Sequence, residues 1–430
     1  MFDAVLRAFR LPDVRRKLVF TLAMLAIFRV IAHVPLPGVK LDKLRELMAS
    51  NQLLGMLDLF SGGSLTTFSI AALGVYPYIT AQIVMQVLSP VIPQLQDMQK
   101  EGEAGRMRVA QYTRLLAVPL AMLQAYAQGS LLSREGILDN FGLVGVGTFL
   151  PTVSMVLTLA AGTMFLVWLG ELITEQGIGN GMSLIIFAGI ISKLPASIAQ
   201  SFASGIGALS VVGLGVIGVA MVGAIIYINE GQRRIMVQYA KRIRGNRVFG
   251  GTSTYIPLRV NSSGMIPLIF AMSIMLIPGT IATYFTATES GIVRSIAEFV
   301  VGVFSSTSVV YWVLYFWLVV GFTYFYTAVV FQQQNLPETL QKQGGFIAGI
   351  RAGRPTADYL NRVLNRITLL GAVFLGVVAI APYIAGLIVG DRGVTTLSST
   401  GILIVVGVVL DTIKQLEAQL MMGQYEGFIR

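Results

Sequence analysis

The chain has 430 residues, of which 55% are hydrophobic and only 12% are charged, and its formal net charge is +10. A soluble domain carries about 25% charged residues, so this composition excludes an ordinary soluble protein and indicates a membrane protein. The sequence has no cysteine and a single histidine, His33, which excludes disulfides, thiolate metal sites and a histidine cluster. We therefore expect no metal and no cofactor, and interpret His33 as an interfacial polar residue.

Ten apolar runs approach the roughly 20 residues that a helix needs to cross a bilayer. In chain order they cover about 18–34, 68–88, 115–131, 153–173, 182–198, 211–228, 265–285, 309–331, 368–388 and 401–420. The first run could be the apolar core of a signal peptide, but no small-x-small cleavage pattern follows it. We therefore interpret it as a span and predict an all-α polytopic membrane protein with ten transmembrane helices.

The second run is apolar but broken, in the stretch MLDLFSGGSLTTFSIAALGVYPYI at residues 56–79. Ser-Gly-Gly-Ser at 61–64 interrupts it, and glycine is favoured where the backbone bends sharply. Further along, Pro77 removes one helical hydrogen bond and permits a bend. These residues alone favour a weakly hydrophobic span with a kink.

Lysine and arginine are concentrated at one set of span ends, which by the positive-inside rule is cytoplasmic. The opposite side and the span interiors hold only Arg29, Lys40, Lys43, Arg45, Arg134, Lys193, Arg294 and Arg392. Both termini are therefore predicted to be cytoplasmic. The loop TEQGIGNG between spans four and five has no basic residue, so its side is assigned from its neighbours.

Five spans precede the loop SKLPASIAQSFASG and five follow it. Because five is odd, two similar halves could be related only by an inverting pseudo-two-fold axis, as in many transporters. We divide the chain into residues 1–200 and 201–430 on topology alone, since the halves share little side-chain identity.

Two predicted cytoplasmic loops, at about 229–260 and 332–366, are unusually long and basic. Their tyrosines, turns and apolar residues favour ordered structure, and segments this long usually carry function or are disordered. The basic residues could serve topology alone, or form a docking surface for lipid, ribosomal RNA or an acidic protein face. The loop lengths favour docking, because topology needs only a few basic residues near the membrane.

The predicted spans lack the buried carboxylates that ion-coupled transporters use for relays. Glu171 and Asp411 lie toward cytoplasmic ends, and Lys414 follows Asp411 at a helical pairing distance, which favours structural roles for both acids. The sequence contains no P-loop signature and no recognisable nucleophile and base pair, so we predict no enzymatic activity. The lack of buried carboxylates and catalytic motifs is consistent with a passive pathway that is closed by apolar side chains and driven by a separate energy source.

Several long motifs resemble the SecY family, which forms the channel of the bacterial general secretory translocon. They include KEGEAGRMRVAQYTR, GIGNGMSLIIFAGI, GQRRIMVQYAKR, RVFGGTSTYIPL, FIAGIRAGRPT and LIVVGVVLDTIKQLEAQLMMGQYEG, and the resemblance extends in order over essentially the whole chain. It implies a clamshell of two five-helix halves in the bacterial cytoplasmic membrane, with a lateral gate between spans two and seven. The implied partners are the small subunits SecE and SecG, the ATPase SecA, ribosomes, signal peptides, nascent chains and membrane lipids.

The resemblance also assigns residues to a re-entrant plug at about 55–66, followed by a gate helix that starts near Phe68. The implied plug residues are Leu57, Phe60, Gly62, Gly63 and Leu65. The implied pore ring is Val75, Ile79, Ile186, Ile190, Ile269 and Ile404. The implied lateral-gate residues are Thr80, Gln86 and Asn261, and the implied docking residues are Arg242, Arg244, Arg247 and Arg351.

One observation supports the pore ring independently of the resemblance. Val75 and Ile79, like Ile186 and Ile190, are four residues apart, and each pair therefore shares one face of a helix.

Two other functions remain as alternatives. A small-solute secondary transporter would need midplane polar ligands, whereas this chain offers mostly Ile, Val and Gly. A scaffold that only anchors ribosomes would leave the broken second span unexplained.

Overall fold

A computed structural model describes residues 12–50, 54–55, 57–58, 61–142, 147–203, 208–239, 242–244, 247–249, 253–286, 291–305, 308–334, 336–351, 353–389 and 394–429. This part of the chain is predominantly helical. The helices are α1 Pro12–Ile31, α2 Leu41–Ser50, α3 Tyr76–Leu88, α4 Pro93–Lys100, α5 Glu103–Arg134, α6 Phe149–Gln176, α7 Gly181–Ala203, α8 Ala208–Glu230, α9 Ile266–Phe285, α10 Gly291–Val303, α11 Val309–Gln334, α12 Leu336–Lys342, α13 Arg354–Val389 and α14 Val394–Ile429. The strands are β1 Gln232–Tyr239, β2 Arg242–Arg244, β3 Arg247–Phe249, β4 Ser253–Arg259 and β5 Gly345–Phe346.

The helices indicate a multi-pass membrane protein. Within the described residues, five helices are long and apolar enough to cross a bilayer. They are α5, α6, α9, α11 and α13, and the apolar stretches Gly181–Lys193 and Gly215–Glu230 lie in α7 and α8. A helix covers at least part of each of the ten predicted runs. The count of ten spans itself stays a prediction.

The second predicted run differs from the sequence expectation, because helix α3 begins at Tyr76 and not near Phe68. Residues 61–75, which we call the turn segment, form successive turns. Gly62 and Gly63 have φ of 69° and 88°, and Phe68 has φ of 42°. These left-handed conformations interrupt a right-handed helix, and most side chains adopt them only at an energetic cost.

Pro77 also has a different role from the predicted bend. It lies in the first turn of α3, where a backbone N–H would have no helical acceptor. Its fixed φ therefore favours the start of the helix and does not interrupt it.

The chain forms two compact units, the first of which comprises Met1–Val216, Met272–Trp312 and Pro382–Arg430. In this unit α5 packs against α3 and α6, and α7 packs against α6 and α14. Gly162 on α6 allows this helix to lie close to the backbone of Ile70. Any side chain at position 162 would collide with the carbonyl oxygen of Ile70. Arg114 Nε lies 2.5 Å from Glu171 Oε1 and joins α5 to α6, which supports a structural role for this acid.

The second unit comprises Ile217–Ala271 and Val313–Ala381 and contains an antiparallel sheet of order β4-β1-β5. In β1, Ile235 and Val237 are buried while Met236 between them is exposed, as the two-residue period of a strand requires. The buried side chains pack on an apolar cluster that includes Leu360 and Leu364.

These strands confirm the expectation of order in the long loops, for the residues that the structure describes. They also correct the all-α assignment, because both loops contribute strands. The division into halves at residue 200 stays a prediction.

Candidate functional site

The six aliphatic residues of the predicted pore ring are all buried, with exposed fractions from 0% for Val75 to 7% for Ile269. Ile269 lies in the second unit and the other five lie in the first. On α14, a Cβ atom at Gly401 would stand only 2.8 Å from Ile190 Cγ2 on α7. This contact places Ile190 beside the helix that carries Ile404, so the structure brings these two helices together.

Two of the described plug residues, Gly62 and Gly63, lie against α7. Leu57 and Leu65 are buried, and Phe60 lies outside the described residues. A side chain on Gly189 would collide with Gly62 Cα, so the two backbones are in direct contact. Because Gly189 precedes Ile190, Gly62 lies next to a predicted ring residue.

The three predicted gate residues have separate surroundings. Thr80 donates its hydroxyl hydrogen to Tyr76 O at 3.0 Å, within its own helix. Asn261, in the second unit, donates from Nδ2 to Asn229 Oδ1 at 2.9 Å. Among the described residues, the buried Gln86 Oε1 has no hydrogen-bond partner. The predicted hydrogen bonding among these residues stays a prediction.

A hydrogen bond between α3 and α9 was not predicted from the sequence. Tyr76 Oη donates to Ser273 O at 3.1 Å, and both residues belong to the first unit. Tyr76 is buried, and a buried tyrosine usually finds a partner for its hydroxyl. A tyrosine inside an apolar run is the signal that could have identified this contact.

A groove of about 370 Å³ lies beside this hydrogen bond, between α3, α5 and α9 in the first unit. Its lining is mostly apolar and includes Leu57, Leu73, Tyr76, Thr80, Leu120, Gln124, Gln128, Ile277 and Ile281. The groove therefore combines one predicted plug residue and one predicted gate residue with an apolar wall.

The predicted docking arginines lie on ordered backbone. Arg242, Arg244 and Arg247 are in the β2–β3 hairpin, where Arg244 pairs with Arg247. Arg351 is exposed, and its carbonyl accepts a hydrogen bond of 2.8 Å from Thr356 Oγ1 at the start of α13. This bond joins the Arg351 backbone to the start of α13.

The nearby sheet orients a further cation that was not singled out from the sequence. Arg234 Cζ lies 4.9 Å from the centroid of the Tyr255 ring on the neighbouring strand, a cation–π arrangement.

The described residues contain no group of three or more histidine, aspartate or glutamate side chains that could hold a metal ion. The site is thus built from apolar side chains, backbone turns and a few hydrogen bonds.

The family model described as SecY matches residues 69–413. The chain belongs to the SecY family. It is 43% identical over 446 residues to the protein translocase subunit SecY of Streptomyces coelicolor, with full coverage of both chains. It is 42% identical over 444 residues to the protein translocase subunit SecY of Mycobacterium tuberculosis, again with full coverage. The family predicted from the sequence motifs is confirmed.

Solved structures share the SecY fold. A protein-conducting channel superposes with a TM-score of 0.60 at 17% identity, covering 94% of this chain and 92% of that one. Sec61 in the canine ribosome–channel complex from the endoplasmic reticulum gives a TM-score of 0.58 at 16% identity, with the same coverage.

Three charged residues of this SecY-family chain were missed as site candidates. Arg29 and Lys193 lie within predicted spans one and five, and Asp58 lies within the predicted plug. Ionisable residues inside membrane spans are expensive and usually functional, so their position was a usable signal.

Proposed function

We propose that the chain forms the passive pore of a bacterial protein translocase, in the cytoplasmic membrane. Unfolded secretory polypeptides cross through its centre, and transmembrane segments leave sideways into lipid. The observation that carries this proposal is full-length identity of 43% to a protein translocase subunit SecY. The pore is not an enzyme, and its driving force comes from SecA or from the ribosome.

The proposed architecture has ten spans in two inverted halves, with both termini in the cytoplasm. The distribution of lysine and arginine supports this orientation. The ring of Val75, Ile79, Ile186, Ile190, Ile269 and Ile404 closes the pathway at rest, because a narrow apolar collar excludes water and ions by dewetting. Such a collar can yield around an extended chain without offering it hydrogen bonds.

The groove between α3, α5 and α9 fits a signal sequence in transit. Its apolar lining suits one face of an apolar helix, and α3 and α9 correspond to predicted spans two and seven. The Tyr76–Ser273 hydrogen bond joins these two helices, so its rupture would accompany opening of the gate. The proposed path to the lipid therefore runs between α3 and α9.

The proposed partners are SecE and SecG in the membrane, and SecA and the ribosome at the cytoplasmic loops. Exposed Arg351 and the basic strands β1 to β4 support the docking assignment. Guanidinium groups bind carboxylate and phosphate in fixed geometry, so both an acidic protein face and ribosomal RNA fit this surface. Competition between SecA and the ribosome is expected because they would share it.

Reconstitution tests the proposed function. The purified chain with its companion subunits is placed in liposomes, SecA and ATP are added outside, and protection of a secretory precursor from protease is measured. A channel makes the precursor protease-resistant only with ATP. A small-solute transporter or a ribosome anchor leaves the precursor accessible, and that result would overturn the proposal.

The α3–α9 hydrogen bond gives a prediction about signal stringency. Tyr76→Phe removes the hydroxyl, and interhelical hydrogen bonds in membranes contribute about 0.6 kcal/mol on average, so the gate equilibrium should shift a few-fold toward opening. Weakly hydrophobic signals should then be exported better across a graded signal-peptide series.

The matched control is Tyr227→Phe, because the Tyr227 side chain on α8 is 80% exposed. An unchanged response of Tyr76→Phe across the whole signal series would show that the bond does not restrain the gate. Apolar replacement of Thr80, Gln86 and Asn261 in the same assay tests the gate residues predicted from the sequence.

A further inference from the structure

A buried ion pair attaches the predicted plug to α7. The carboxylate of Asp58 pairs through Oδ2 with the ammonium of Lys193. The Asp58 side chain is 4% exposed and the Lys193 side chain 28% exposed, so the pair is largely shielded from solvent. Lys193 lies within a predicted span, where an ionised group without a partner is costly.

The second carboxylate oxygen of Asp58 organises the turn segment. Asp58 Oδ1 accepts hydrogen bonds from the backbone N–H groups of Leu65 at 3.0 Å and Thr66 at 3.1 Å. The hydroxyl of Ser61 also donates to it at 3.3 Å. Asp58 therefore draws Ser61, Leu65 and Thr66 into one compact unit, and it joins that unit to Lys193 through its other oxygen.

A second cation holds the same unit from α1. Arg29 Nη1 donates to Gly62 O at 2.9 Å. The aliphatic end of Lys193 lies against Gly63, where a Cβ atom would stand only 2.6 Å from Lys193 Cε. Two cations from two helices thus contact consecutive glycines.

These contacts depend on the position of the turn segment. If Asp58 and residues 61–66 move away from α1 and α7, Lys193 loses its carboxylate and Arg29 loses its acceptor at the same time. Removing one partner of a buried pair is strongly unfavourable, because the other charge stays buried without compensation. The charges therefore favour one position of the segment over its displaced positions.

We propose that Asp58, Lys193 and Arg29 form an electrostatic latch that holds Asp58 and residues 61–66 in the channel and opposes its opening at rest. The proposal rests on the proposed function, since a latch has meaning only for a channel whose plug moves. Asp58 and Lys193 act as positioning residues: a polypeptide that displaces the plug must first separate this pair. The latch therefore sets both the resting ion leak and the threshold for opening.

The first test measures the resting leak without any transport substrate. The chain, purified with its companion subunits, is placed in planar bilayers and its ion conductance is recorded for wild type, Asp58→Asn and Lys193→Met. Asparagine keeps an Oδ1 acceptor for Leu65 and Thr66 but loses the charge that pairs with Lys193. We expect each single variant to raise the resting conductance about tenfold or more, as the cost of an unpaired buried charge implies.

Two further variants separate the latch from general damage. The double variant Asp58→Asn with Lys193→Met removes both charges and keeps the Oδ1 acceptor, so it should return the conductance toward the wild-type value. Asp139→Asn is the matched control, because Asp139 also pairs with a lysine, Lys40, at 2.8 Å. That pair is exposed to solvent, since the Asp139 side chain is 63% exposed and the Lys40 side chain 48%. An exposed pair contributes little, so this control should not leak.

The second test fixes the plug in place. The chain has no native cysteine, so Asp58→Cys with Lys193→Cys supplies a unique pair for a short bifunctional thiol reagent that can be cleaved by reduction. Cross-linking should stop precursor transport, and cleavage of the reagent should restore it.

Wild-type conductance in both single variants, or normal transport by the cross-linked channel, would overturn the latch. Failure of wild type to transport in the same vesicles would instead count against the proposed function.

Discussion

Replacing Ile79, Ile190, Ile269 and Ile404 together with serine makes the resting channel leak ions. Branched aliphatic side chains around a narrow passage exclude water, and a dry constriction is a barrier to ions. The smaller, polar serine side chains leave a wider passage that water can enter. The expected result is a large rise in resting conductance when the variant and its companion subunits are placed in planar bilayers.

A double variant on two helices provides the matched control. Ile79→Ser with Ile190→Ser changes two buried residues on α3 and α7, whereas Val87→Ser with Ile191→Ser changes residues of the same helices that are 44% and 40% exposed. Only the buried pair should increase the leak. If the quadruple variant conducts no more than wild type even after deletion of residues 55–66, these residues do not form the seal.

Reversing one cytoplasmic charge has the second large expected effect. Arg351→Glu should reduce SecA-driven transport by an order of magnitude or more, because breaking a close charge pair across an interface costs about 2–5 kcal/mol. The exposed Arg351 side chain makes no described contact that holds the helices together, so the membrane fold and the yield of the complex should be unchanged. The measurement is the initial rate of precursor protection in liposomes.

Arg108→Glu is the control for the same charge reversal outside the two long loops. The Arg108 side chain is 61% exposed, and its Nη1 lies 3.4 Å from Glu101 Oε2 on the predicted cytoplasmic side. Transport by this variant should remain near the wild-type rate. A normal rate for Arg351→Glu would show that Arg351 takes no part in docking.

Composition and periodicity were sufficient to predict a helical membrane protein, because a bilayer admits few alternatives to long apolar helices. The predicted runs at 115–131 and 153–173 lie within α5 and α6. Both helices are longer than the runs, because residues beyond the ends of the runs still form helical hydrogen bonds. The family also followed from the sequence, since its motifs are long and occur in order. The expectation of order in the long loops is confirmed for those of their residues that the structure describes.

The start of α3 could not be obtained from hydropathy. Residues 68–75 are as apolar as a helix requires, but Gly74 and Phe68 adopt left-handed backbone conformations. Those conformations depend on contacts with other parts of the fold, such as the hydrogen bond from Leu36 N to Phe68 O. Local helix propensity depends only on neighbouring residues. It cannot predict this contact, because Leu36 lies 32 positions before Phe68 in the chain.

The sequence by itself determined the membrane class and the approximate positions of the apolar helices, because these follow from local apolarity, whereas the candidate ring residues came from the resemblance to the SecY family. Only the tertiary structure decided that Asp58 pairs with Lys193 and that Arg29 binds the carbonyl of Gly62. In the sequence these residues are separated charges in apolar surroundings, each of which could face water, lipid or protein. Asp58, Lys193 and Arg29 lie in three separate parts of the chain. A buried charge is stable only where the fold brings its partner within hydrogen-bond distance.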